Sequence, residues 1–137
     1  MHVERLETRI CLSVPPVDPG QAVPFQKFTL DPNQGGQALE KALGDIDGDG
    51  RLDAVIGQGN TTGGIYWYAM PTSGVVTNNW SKHTIVGSGR AYEDMLIRDV
   101  NNDGAVDVIA SIANTLKWFQ NPRGHGGNPR TDSWSSH

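Results

Sequence analysis

Asp45, Asp47, Asp49 and Asp53 stand at positions one, three, five and nine of the stretch Asp45-Ile46-Asp47-Gly48-Asp49-Gly50-Arg51-Leu52-Asp53. The pattern returns at Asp99-Val100-Asn101-Asn102-Asp103-Gly104-Ala105-Val106-Asp107, with Asp99, Asn101, Asp103 and Asp107 in the equivalent places. Alternating short oxygen side chains in a tight loop converge on one centre. Hard cations with about six to eight oxygen ligands need that arrangement, and calcium fits best. Gly50 and Gly104 hold position six, where the turn is sharpest. The carbonyls of Arg51 and Ala105, at position seven, would add backbone oxygens, and Asp53 and Asp107 would close each site. The EF-hand shares the first seven positions but needs a bidentate acid at position twelve. Here position twelve is Ile56 or Ala110, so the EF-hand and the dockerin modules built from it are disfavoured. Asn101 replaces one carboxylate in the second loop, which predicts weaker affinity there. A metal-free Asp/Gly turn is the competing reading, because both residues suit tight turns.

The elements that must carry these loops repeat with them. The loops lie 54 residues apart, from position 45 to position 99, and Trp80-Ser81-Lys82-His83 recurs as Trp134-Ser135-Ser136-His137 at the same spacing. Ile65 to Pro71 parallels Leu116 to Pro122 at a spacing of 51, with the slip placed in the turn Gln58 to Gly64. Phe25 to Leu30 aligns with Trp80 to Ile85. Short β-branched and aromatic runs predict strands at Ala38–Gly44, Leu52–Gly57, Gly64–Ala69 and Trp80–Val86. A second set follows at Asp94–Arg98, Val106–Ser111 and Thr115–Gln120, then a Gly/Pro/Asn-rich loop from Asn121 to Asp132. No segment has a sustained helical period. Four-strand units at about fifty residues are the signature of propeller blades. The expected fold is all-β, about two four-stranded blades of an incomplete β-propeller. Blade one spans about 38–86 and blade two about 93–137, within a repeat region 23–137 that follows a leader over 1–22. The chain ends just as another Trp-x-x-His is completed, so a partial sequence is the simplest expectation.

The two acidic loops, the strands Leu-Asp-Ala-Val-Ile and Val-Asp-Val-Ile-Ala that follow them, and the trailing Trp-Tyr and Trp-Phe pairs resemble FG-GAP/VCBS-type repeats. The resemblance covers about residues 25 to 137. It implies calcium-binding propeller blades of the kind found in integrin α chains and in many secreted bacterial proteins. Neither Phe-Gly nor Gly-Ala-Pro occurs, so the integrin form fits less well than the bacterial one, with its Trp-x-x-His strand and Asn-Pro turn.

Composition narrows the function classes. The formal charge is −4, and seven of the fifteen acidic residues lie in the loops, so bound divalent ions would offset it. No basic surface supports nucleic-acid binding, and no apolar run is long enough for a membrane span. Hydrophobic residues make up 36%, low for one compact core of 137 residues. Cys11 is single, so an internal disulfide is excluded. Met1 to Pro15 lacks the apolar run of a signal peptide. Val3 to Ser13 resembles a short leader motif of some large secreted bacterial proteins.

Nucleophile, zinc-protease and phosphate-loop signatures are missing from the sequence. Trp67, Trp80, Trp118 and Trp134 at repeat positions are expected to pack between blades, with a sugar-stacking platform as the rival role. His83 and His137 are expected to make structural hydrogen bonds, and His125 reads as part of a mobile loop. Glu40, Glu93 and Asp94 read as solvated. Asn60-Thr61-Thr62 and Asn79-Trp80-Ser81 match glycosylation sequons. The expected function is a non-enzymatic, extracellular or cell-surface, calcium-binding scaffold or binding module for an unknown protein or glycan, with open blade edges offering self-association. The alternative is a fragment of a propeller-containing carbohydrate-active enzyme, a lyase or dehydratase.

Overall fold

The computed structural model describes residues 26–73 and 77–137. The leader over 1–22, with Cys11, lies outside the described residues. Two four-stranded antiparallel sheets follow one another along the chain. The first is β1 (Ala38–Gly44), β2 (Asp53–Gln58), β3 (Ile65–Ala69) and β4 (Ser81–Val86), hydrogen-bonded in chain order. The second is β5 (Ala91–Arg98), β6 (Asp107–Ile112), β7 (Thr115–Gln120) and the two-residue β8 (Ser135–Ser136), again in chain order. The up-and-down order is that of propeller blades, and no closed ring forms among the described residues. The only regular helical turn among the described residues is a short 3₁₀ segment, Pro122–His125.

The acidic loops are the β1–β2 and β5–β6 connections, the first turn of each sheet. Register places Gly44 opposite Asp53 and Arg98 opposite Asp107, so position nine pairs with the residue just before position one. The β2–β3 and β6–β7 connections differ. The second is a two-residue hairpin through Ala113 and Asn114, both at positive φ (49° and 63°), the backbone that suits a tight right-twisted hairpin. The first is longer and holds Gly63 and Gly64. Gly64 has the Val86 carbonyl where a Cβ would stand, so the absorbed length change ends in a close backbone approach.

The sheets face each other through one core. Val55, Ile65, Trp67 and Ala69 of the first sheet meet Ala91, Val108, Ala110, Ile112 and Phe119 of the second, with Trp134 beside them. Strand alternation sends these residues to one side and their neighbours to the other. Two glycines let the sheets close up. A Cβ on Gly44 would lie 2.6 Å from Ile97, and one on Gly57 would lie 2.7 Å from the Ala91 methyl. Parts of the opposite faces stay exposed. Leu43 (64% exposed) lies on that side of the first sheet, and Leu96 (53%) and Leu116 (73%) on that of the second.

The Trp-x-x-His repeat has a physical meaning in this packing. Trp67 pairs with His83 across β3 and β4, and their rings lie 4.5 Å apart. Trp118 and His137 repeat the contact at 4.5 Å. His83 Nδ1 also lies 3.2 Å from the Arg130 carbonyl, and His137 Nε2 lies 3.3 Å from Gln120 Oε1. Trp67 is buried between the sheets, its indole N–H donating to the Pro129 carbonyl at 3.3 Å. Trp134 is buried there as well, with the same carbonyl 3.5 Å from its indole nitrogen. Trp118, by contrast, lies partly exposed.

Candidate metal centres

In the first loop, backbone N–H groups hold one oxygen of each acidic side chain. Gly50 donates to Asp45 Oδ2 (3.0 Å), Asp49 to Asp47 Oδ1 (3.2 Å) and Arg51 to Asp49 Oδ1 (2.9 Å). The loop can turn this tightly because Gly48 and Gly50 sit at φ 78° and 85°. The remaining oxygens are where a cation would be met. Asp45 Oδ1 is buried with no hydrogen-bond partner, Asp47 Oδ2 pairs with Arg130, and Asp49 Oδ2 pairs with Arg51. Ligand atoms of Asp45, Asp47 and Asp49 all lie within 4.8 Å of one another. Three acidic oxygens so close repel strongly unless positive charge intervenes. Two guanidinium groups fill part of that role, and Asp45 Oδ1 remains unmatched. The donor set, all hard oxygen, fits calcium.

The second loop has the same backbone but a different electrostatic state. Gly104 N donates to Asp99 Oδ2 (2.9 Å), Asp103 N lies 3.1 Å from Asp99 Oδ1, and Ala105 N donates to Asp103 Oδ1 (2.9 Å). Asn101 makes the difference. Its amide nitrogen donates to Asp103 Oδ2 at 2.7 Å, so the loop partly neutralises itself by internal hydrogen bonding. The Ala105 N–H, then the Asn101 amide, hold the Asp103 carboxyl below the usual aspartate range, with His125 Nε2 3.7 Å away adding to the effect when protonated.

The position-nine aspartates are placed differently from the other loop acids. Asp53 and Asp107 are fully buried. Asp53 Oδ2 accepts from Ile46 N (3.0 Å) and Oδ1 from Met70 N (2.9 Å). Asp107 Oδ2 accepts from Val100 N (3.0 Å) and Oδ1 from Asn121 N (2.8 Å). Each carboxylate therefore clasps position two of its own loop and the residue that follows the third strand. Burial pushes the Asp53 carboxyl above its ordinary range; the Met70 and Ile46 N–H bonds oppose this, and the charges of Asp47 and Asp49 add to it. Spacing predicts these residues as metal ligands; in this geometry their carboxylates also fix the loop to the sheet.

A third contributor escaped the sequence reading. Residues 121–132, expected to be a Gly/Pro/Asn-rich loop, form a capped 3₁₀ turn followed by a hydrogen-bonded turn at 128–132. Asn121 is fully buried and caps Arg123 N at 3.0 Å. Its amide donates to the Ile46 carbonyl of the first loop and the Val106 carbonyl of the second, each at 2.9 Å. Arg123 donates from Nη2 to the Gly104 carbonyl (3.0 Å) while packing against Gly48. Arg130 reaches Asp47 and lies 5.5 Å over the Trp67 ring. One segment thus ties both loops and both blades. The Asn-Pro pair was the available signal, since Asn before Pro122 suits a capping turn.

Residues 45–110 match the family model of the FG-GAP-like repeat. The match runs from the first residue of loop one, through the second loop, to Ala110 in β6. No curated protein and no solved structure matches the chain.

Proposed function

We propose that this FG-GAP-type repeat chain is a calcium-stiffened β-propeller segment, working outside the cell as a scaffold or binding module for a protein or glycan and not as an enzyme. One observation carries the calcium reading. Asp45, Asp47 and Asp49 converge within 4.8 Å in a repeat of this family, and Asp45 Oδ1 has no partner. Asp45, Asp47 and Asp49 would hold the ion in the first loop, with the Arg51 carbonyl as an added ligand. Asp99, Asn101, Asp103 and the Ala105 carbonyl would hold a weaker one in the second. Asp53 and Asp107 would keep each loop in shape, and supply a carboxylate oxygen where the ion draws one in. The bound ion offsets like-charge repulsion, and so stiffens the turn at which each blade meets the next.

Extracellular calcium modules bind at about 10⁻⁴–10⁻³ M, which suits millimolar calcium outside cells. The open apolar faces around Leu43 and around Leu96 and Leu116 support a role in contact with further blades or a second copy. Calorimetry and thermal melting of the metal-stripped chain, with and without calcium, test the reading. A saturable heat and a calcium-dependent rise in Tm are expected. A flat titration, with identical melts, would remove calcium from the account.

A further inference from the structure

The groove between the first acidic loop and the 121–132 segment gathers arginine side chains from both. It encloses about 480 Å³, and its lining includes Asp47, Asp49, Arg51, Thr72, Arg123 and Arg130. Three guanidinium groups face two carboxylates there. Arg130 and Arg51 pair with Asp47 Oδ2 and Asp49 Oδ2, the oxygens that backbone N–H groups leave unheld. The Nε atoms of Arg51 and Arg123 are buried without hydrogen-bond partners. Arg130 has anchors besides Asp47, namely the Trp67 ring at 5.5 Å and the His83 ring, whose Nε2 lies 3.4 Å from Nη1.

We propose that this groove is a carboxylate-binding site that calcium opens. The inference rests on the calcium reading above. A divalent ion at the first loop competes with Arg130 and Arg51 for Asp47 and Asp49. Once displaced, both guanidinium groups lose their internal partners yet remain at the groove, Arg130 held by Trp67 and His83, Arg51 by its place in the loop. Their planar forks match a carboxylate in two parallel hydrogen bonds. The groove gains two positive charges from the ion while its arginines stay, so an anion is favoured only after the cation has entered. The site takes a small molecule bearing a free carboxylate.

The test uses glucuronate as the probe, with its uncharged methyl ester as the control. Calorimetry first measures calcium binding to the whole chain. NMR then follows the arginine Nε–Hε resonances as glucuronate is added to the calcium-loaded and metal-stripped chain. Glucuronate should bind about tenfold more tightly with calcium, the ester should not bind, and glucuronate should tighten calcium by the same factor, because coupling between sites is reciprocal. Arg130→Gln should weaken glucuronate about tenfold yet tighten calcium, since an internal competitor is gone; a merely misfolded variant would lose both. Calcium binding with glucuronate affinity unchanged between the two states, or equal binding of the ester, overturns the proposal and leaves the calcium reading intact. No calcium binding overturns both.

Discussion

The two acidic loops share a backbone and differ in how their charge is met. Both have glycine at position six at φ 85°, both send the N–H of that glycine to the position-one carboxylate, and both anchor a buried position-nine carboxylate by two N–H bonds. The first loop relies on charges from outside its own oxygen set, Arg51 and Arg130. The second relies on Asn101, which supplies an amide donor to Asp103 from within the loop. One atom type at position three separates a cluster that keeps an unpaired carboxylate oxygen from one hydrogen-bonded within itself. Repeat identity fixes loop shape, while a single polar substitution changes how each loop's charge is balanced.

The largest effect is expected where the loops agree. Replacing Asp53 or Asp107 by Ala strands two backbone N–H groups, each costing about 1–3 kcal/mol, so either variant should lose roughly 2–6 kcal/mol in urea unfolding, with calcium or without. A loss seen at only one of the two would break the equivalence. Asn121→Ala comes next. It removes the amide that bridges the Ile46 and Val106 carbonyls, for about 1–3 kcal/mol.

Calcium variants sharpen the difference between the loops. Asn101→Asp should raise the affinity of the second loop by roughly tenfold in calorimetry, because affinity follows ligand charge, and Asp49→Ala should weaken the first by a similar factor. Asp49→Ala should also shrink the calcium-dependent rise in Tm, with little change in the metal-stripped melt. Equal melting shifts in both conditions would contradict the division of labour between Asp49 and Asp53.

The smallest effect concerns pH. Burial holds the His83 imidazole below its ordinary value of 6.5; the Arg130 carbonyl contact opposes this, as does the charge of Asp47, while the Arg130 charge adds to it. A depressed folded value means the unfolded chain takes up the proton first. Stability should therefore be full above 6.5 and decline as pH falls through and below it. His83→Gln should flatten that part of the stability profile; an unchanged slope would place the transition elsewhere.

Much of this was legible in the chain. Alternation and β-branched runs placed β1, β2, β3, β4, β6 and β7 within a residue or two, because a half-buried strand imposes its own period on the sequence. The Trp-x-x-His repeat foretold a structural role for the histidines, and the stacking on Trp67 and Trp118 supplies it. The 121–132 segment is where the sequence said least. Gly, Pro and Asn report a chain without regular structure, yet say nothing of what its side chains touch, and Asn121 and Arg130 act across 75 and 83 residues of sequence.

Strands, repeat and the alternation of short oxygens in each loop can be read from the chain alone, because these depend on neighbours a few residues apart. Long-range packing sets Asp53 and Asp107 against backbone N–H groups, Arg130 against Asp47, and Asn121 between the loops. Those outcomes depend on which distant groups burial brings together, and on the cost of leaving any of them unpaired once water is excluded.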